Sequence, residues 1–233
     1  MWKNLLKKMQ TKKKLLKYKW MAGMIGKFSF KALVITLGFL ALSTTSVKAL
    51  EWKASCGSKY SNWFGTYTFN VKQGEVRGCP SDKKAQHSWK FSERSEVKSK
   101  GRIAVGQYKW SAIIDIERNC KPAYRNTLFQ VHDASYMVAP PSWFGINGSN
   151  KFRTSENRFS DVDVPNGPFE LVALLDIKKT SIKVDYYVNG DYVTSTHDKN
   201  GPYKELFLKF GTYRVNSNCD ITQKYTKVRF NKQ

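Results

Sequence analysis

The sequence predicts an all-β fold, a single β-sandwich of the jelly-roll kind. Three observations predict it: period-two alternation of apolar and polar residues in several segments, an Asn-Gly pair set between Tyr/Val-rich runs, and turn residues dividing the chain into short extended stretches. Helical periodicity is scarce. Residues 67–71 form the first predicted strand and residues 94–98, with their alternating charges, the second. In residues 107–117, Tyr108, Trp110, Ala112, Ile114 and Ile116 fall on one face and mostly polar residues on the other. Residues 127–132 and 142–146 follow. Residues 169–177 are an apolar run between Pro168 and the Lys178-Lys179 pair, the pattern of a strand buried on both faces. Residues 182–196 read as a hairpin turning at Asn189-Gly190, and residues 206–215 and 227–230 complete a set of about ten strands. The PNGP of residues 165–168 and the NGP of residues 200–202 are turns within one domain spanning residues 50–233, because strand patterning continues on both sides of each.

The chain has 233 residues, with 40 Lys and Arg against 18 Asp and Glu, a formal charge of +22. Eleven lysines and no acidic residue lie in residues 1–49, which leaves 29 basic against 18 acidic residues, or +11, in the remainder. With 41% apolar and 14% aromatic residues the chain can bury a full core, which excludes a disordered chain and a mini-protein held by disulfides alone. The apolar stretch 32–42 is about half a bilayer span and fits the hydrophobic part of an export leader, with small residues before a cut after Ala49. Its basic start is long; translation from Met21 or Met24 would shorten it, and an uncleaved anchor is the other reading. The expected location is therefore secreted or periplasmic. The four cysteines all follow the cut, and an even count in an exported chain argues for two disulfides. Of three pairings, Cys56 with Cys79 and Cys120 with Cys219 is the expected one. No CxxC, HExxH or GxSxG occurs, which removes the zinc-ribbon, zincin and serine-hydrolase patterns.

Three segments carry side chains suited to chemistry. In residues 94–98, Arg94, Glu96 and Lys98 alternate onto one face, where a carboxylate between two cations can hold them around an anion; a solvated charge run is the plainer reading. In residues 129–132, Phe129 and Val131 enter the core while Gln130 and His132 emerge side by side, an amide beside a ring that exchanges its proton near neutral pH. In residues 206–214, Lys209, Gly211 and Tyr213 share a face. Gly211 either admits a ligand ring close to the sheet or marks a bulge.

Together these segments resemble the motifs of jelly-roll polysaccharide lyases, the group of alginate lyases, glucuronan lyases and heparin-lyase-like enzymes. Residues 94–98 (RSEVK) are similar to the alginate-lyase pattern R-[ST]-E-L-R, Gln130-Val131-His132 to Q-[IV]-H, and residues 207–213 to Y-F-K-A-G-V-Y, in the same order along the chain. Lys98 stands where the pattern has Arg, and Phe207 where it has Tyr. The resemblance implies β-elimination on a uronic-acid polymer such as alginate or glucuronan. Arg94 and Gln130 would neutralise the uronate carboxylate, His132 or Tyr213 would remove the C5 proton, and Tyr213 would protonate the departing oxygen. Lys209, Lys98, Glu96 and Arg214 are the expected substrate-binding residues. No cofactor is required, although a structural Ca²⁺ at an all-oxygen site leaves little sequence trace. The expected partner is an anionic polysaccharide, with no nucleic acid, no membrane after leader removal, and a monomeric state.

Two other functions compete with this one. The same face could serve a carbohydrate-binding sandwich without catalysis, with tryptophans such as Trp63, Trp89, Trp110 and Trp143 for sugar stacking. Residues 113–117 resemble the E-x-D-x-E strand of retaining β-glucanases, but Ile113 occupies the nucleophile position beside Asp115 and Glu117, which breaks the carboxylate pair that hydrolysis needs. His87 and His197 carry no motif.

Overall fold

The computed structural model describes residues 50–75, 92–118, 120, 125–135, 139–156, 159–215 and 219–233. The leader expected in residues 1–49 and the residues Cys79, His87 and Trp89 lie outside them. Among the described residues fourteen strands follow one another: β1 (Trp52–Ser55), β2 (Ser61–Trp63), β3 (Thr66–Val71), β4 (Ser92–Ser99), β5 (Gly106–Arg118), β6 (Arg125–Asp133), β7 (Ser142–Asn147), β8 (Lys151–Thr154), β9 (Phe159–Asp163), β10 (Phe169–Ile177), β11 (Ile182–Val188), β12 (Asp191–Asp198), β13 (Leu206–Val215) and β14 (Ile221–Lys232). Two seven-stranded antiparallel sheets result, with orders β1-β4-β13-β6-β7-β8-β9 and β12-β11-β10-β5-β14-β3-β2. This is the expected jelly-roll sandwich.

Alternation is what closes it. Val97, Phe129, Val131, Phe144, Ile146, Phe152, Leu208 and Phe210 of the first sheet meet Phe69, Trp110, Ile114, Leu171, Ala173, Tyr186 and Tyr225 of the second. Phe210 is a hub, packed against Trp52, Tyr67, Phe69, Trp110 and Tyr225. One buried polar set sits among these rings: the Ser142 hydroxyl lies 2.6 Å from the hydroxyls of both Tyr186 and Thr196, so that burial costs none of the three a partner.

The hairpin forms as expected, with Asn189 and Gly190 both at positive φ (51° and 91°), the geometry of a type I′ turn. Three expectations change. Strands β1, β2, β8 and β9 went unanticipated because segments of three to five residues carry too few alternations to register. Residues 227–230 are the end of the much longer β14, whose pairing with β5 slips between Thr226 and Arg229. Strand β10 is not buried on both faces: Glu170 is exposed and Leu174 and Asp176 are half-buried on its outer side, which no layer of the described residues covers there. Among the described residues one disulfide is seen, the expected Cys120–Cys219, with Cα atoms 5.9 Å apart; the other expected pairing, Cys56 with Cys79, involves a residue outside them.

Candidate active site

The three chemically suggestive segments are neighbouring strands, in the order β4-β13-β6. Antiparallel pairing places Lys98 opposite Lys209, Glu96 opposite Gly211 and Arg94 opposite Tyr213 on one side of β13. On its other side Gln130 lies opposite Lys209, His132 opposite Phe207, and Thr127 opposite Tyr213. Because Val97, Phe129, Val131, Leu208 and Phe210 fill the core, the alternate residues Arg94, Glu96, Lys98, Gln130, His132, Lys209 and Tyr213 share the face turned away from the second sheet.

This face is recessed rather than freely wet. Arg94, Gln130 and Lys209 are 8%, 5% and 6% exposed, and Glu96 is 1% exposed. The Gln130 amide nitrogen donates to one Glu96 carboxylate oxygen, and the other stands 3.5 Å from the Arg94 guanidinium, so Glu96 ties the amide and the cation together. The Arg94 guanidinium lies over the Tyr213 ring at 4.4 Å. At the other end the His132 ring stacks on Phe207 with centroids 5.1 Å apart, and the ammonium groups of Lys98 and Lys209 approach the same Phe207 ring at 5.4 and 5.7 Å.

The electrostatics act most clearly on His132. Desolvation, then the Lys209 charge, with a smaller contribution from Arg94, depress its pKa from 6.5 to about 4, against the pull of the Asp133 carbonyl. The imidazole is therefore neutral at physiological pH. Its Nδ1 lies 3.2 Å from the Asp133 carbonyl oxygen; as donor there, it leaves Nε2 as the basic nitrogen. Asp133 is itself pinned: its carboxylate accepts from the Ser135 N–H and hydroxyl and from the N–H groups of Lys204 and Glu205. The backbone that aims His132 is thus fixed on both sides.

Arg214 is not brought to this face. As the neighbour of Tyr213 it points the other way; it is 1% exposed, ion-paired with Glu93 at 2.6 Å, and donates to the carbonyls of Cys219 (2.6 Å) and Val71 (3.2 Å). Burial raises the Glu93 carboxyl above its ordinary range, with Arg214 and the Gly74 N–H pulling it back. Arg214 is a structural residue. Gly211 admits no side chain: it has φ +130°, and a Cβ there would stand 2.5 Å from the Ser95 carbonyl oxygen and 2.9 Å from the Glu96 Cα. The register with β6 shifts between Phe210 and Tyr213, so the glycine serves a bulge and a close approach of two strands.

The face holds two further residues that sequence reasoning missed, Arg125 and Arg153, both against Trp143, which the sequence offers only for sugar stacking. The Arg125 guanidinium lies 5.0 Å from the Tyr213 ring and 5.2 Å from the Trp143 ring, and the Arg153 guanidinium lies 5.4 Å from the same Trp143 ring. The signal was present but faint, an Arg beside core residues in Phe152-Arg153-Thr154 and at the start of β6. Elsewhere, Asp115 and Glu117 lie on β5 of the other sheet, where Glu117 pairs with Lys224, and His197 is exposed on β12. Trp110 is core and Trp63 is exposed. Among the described residues no three His, Cys, Asp or Glu side chains are grouped so as to hold a metal ion.

No protein-family model and no curated protein matches the sequence. Solved structures do resemble it. An alginate lyase of polysaccharide lyase family 7 superposes with a TM-score of 0.54 at 13% identity, covering 79% of this chain and 95% of that one. Alginate lyases of Pseudomonas aeruginosa (TM-score 0.52, 14% identity, 78% and 98% covered) and of a Corynebacterium species (0.53, 14%, 78% and 83%) do so as well. At such identity the likeness establishes the fold, a jelly roll shared with polysaccharide lyases, and leaves activity to be argued from the site.

Proposed function

We propose that this protein is an exported polysaccharide lyase that cleaves a uronic-acid polymer, alginate or glucuronan or a close relative, by β-elimination. The observation that carries this reading is the sharing of one recessed, cationic face by Arg94, Gln130, His132 and Tyr213. A lyase must make the C5 proton acidic, remove it, and protonate the departing O4. Arg94 and the second amide hydrogen of Gln130 supply charge and a donor for the uronate carboxylate, which lets negative charge build up on C5. Glu96 positions both. A base then takes the C5 proton, the C4–C5 double bond forms, the C4–O4 bond breaks, and the leaving oxygen receives a proton.

His132 suits the role of base, being neutral before substrate arrives. The bound carboxylate offsets the cations that depress the imidazole, so its basicity rises when it is needed. Tyr213, its ring held by Arg94 and Arg125, suits proton delivery to O4. With His132 as base and Tyr213 as acid the elimination is anti; with Tyr213 in both roles it is syn. Lys98 and Lys209 would hold a neighbouring carboxylate. No step requires a metal or organic cofactor. A net positive charge beyond the leader favours accumulation of a polyanion on this face.

The test is a panel of alginate, glucuronan and heparin-type polymers, read by the ultraviolet absorbance of the unsaturated uronate. Absorbance growth with at least one polymer is expected. Binding of a polymer without absorbance would instead make the protein a non-catalytic carbohydrate-binding sandwich.

A further inference from the structure

The motif residues occupy only three strands of this face, but the cationic floor continues past them. Through successive register partners, Arg94 of β4, Tyr213 of β13, Thr127 of β6, Gly145 of β7 and Arg153 of β8 form one row across five strands. Arg125 stands two residues along β6 from that row and leans back to Tyr213 and Trp143. Trp143 is 6% exposed and has guanidinium groups on it at 5.2 and 5.4 Å; it holds two arginines in place and offers little surface to a sugar. The shielded Arg125 Nε has no hydrogen-bond partner, an unmet donor beside the row. Strands β7 and β8 themselves contain no Asp or Glu. Gly145 keeps the row low between Thr127 and Arg153, and it cannot gain a side chain, since a Cβ would stand 2.3 Å from the Asn126 carbonyl oxygen.

We infer that Arg125 and Arg153, braced by Trp143, form a second anion-binding station, which takes carboxylates of sugars further along the polymer than the one held at Arg94. This rests on the uronate-lyase reading and deepens it. The spacing supports it: arginines recur on every second strand, at β4, β6 and β8, about 10 Å apart given the usual strand separation. That is close to the length of a disaccharide, and in an extended 1,4-linked chain alternate sugars present their carboxylates to the same side. The polymer then crosses the strands from β4 towards β8, and substrate affinity grows with length until the chain reaches Arg153. Arg125 and Arg153 are binding residues, and Trp143 is a positioning residue.

The experiment compares tri- and hexasaccharides of alginate as substrates for the wild type, Arg125→Gln, Arg153→Gln and Trp143→Phe, together with retardation of each protein in an alginate-containing native gel. In Arg153→Gln the advantage of hexamer over trimer in kcat/KM is expected to shrink about tenfold or more, through KM rather than kcat, the loss of one charge-assisted contact; Arg125→Gln, which also releases the Tyr213 ring, should lose that advantage and part of kcat with it. Trp143→Phe should lose part of it. Should a Gln variant fail to fold, Arg153→Lys, which keeps the charge and loses the fork, gives the same readout. A wild-type length advantage that survives in every folded variant overturns the second station and leaves the lyase reading standing. Gel retardation lost in the variants, with no cleavage by the wild type, overturns the lyase reading and supports the station. A wild type that neither cleaves nor is retarded overturns both.

Discussion

His132 is where charge and burial make the sharpest prediction. The denatured chain takes up this proton near 6.5 and the fold only at about 4. Between those values protonation favours the denatured state, so stability falls as pH falls through the window and is unaffected by this group above it. His132→Gln should flatten that dependence in melting curves taken across the window. If His132 is the base, kcat/KM should hold as pH drops through 6.5 and decline only near 4, a limb that Gln at this position abolishes. Tyr213→Phe keeps the ring between Arg94 and Arg125 and removes only the hydroxyl. A loss of at least about 10²-fold in rate is expected, measured by unsaturated-uronate absorbance, since that is the lower end for a general acid or base. Near-normal turnover would take Tyr213 out of the chemistry.

At the scale of elements, the bulge at Gly211 decides where Tyr213 points. It is braced from beneath, because the Tyr225 hydroxyl of the opposite sheet lies 3.0 Å from the Gly211 carbonyl oxygen. Gly211→Ala would drive a methyl into the backbone of β4 from a left-handed φ, so strands β4 and β13 must part. The expected result is a loss of roughly 1–3 kcal/mol in denaturant melts, with uronate cleavage falling further than stability does. Arg214 shows the same logic from the other side. Its position next to Tyr213 made it look like a site residue, yet alternation sends it inward, where Glu93 and two carbonyls satisfy it.

For the whole molecule, the Cys120–Cys219 bridge closes a segment of 99 residues, tying the end of β5 to the start of β14. In the chain-entropy account a loop of that size is worth up to about 4.7 kcal/mol. Reduction, or Cys120→Ser, should lower the melting temperature markedly, and the carbonyl of Cys219 would then hold Arg214 less firmly. A melting temperature unchanged by reduction would mean that the two sheets alone fix these ends. At this scale too lies the direction of the polymer across the sheet, which depends on β7 and β8 as much as on the motif strands.

Much of this was legible along the chain. Period-two alternation in residues 107–117, 127–132 and 206–215 made those strands visible, and with them the division of each segment into a core face and a site face, because side-chain direction in a strand is a local property. Spacing within a segment therefore placed Arg94 with Glu96 and Lys98, and Gln130 with His132. What the sequence could not decide was which strands become neighbours and in what register. Pairing joins residues more than a hundred positions apart, such as Lys98 with Lys209, and it depends on the packing of both sheets at once. Only the tertiary structure could bring Arg125, Trp143 and Arg153 to the same floor, or place a bulge at Gly211, because those outcomes belong to the pairing of strands and not to any one of them.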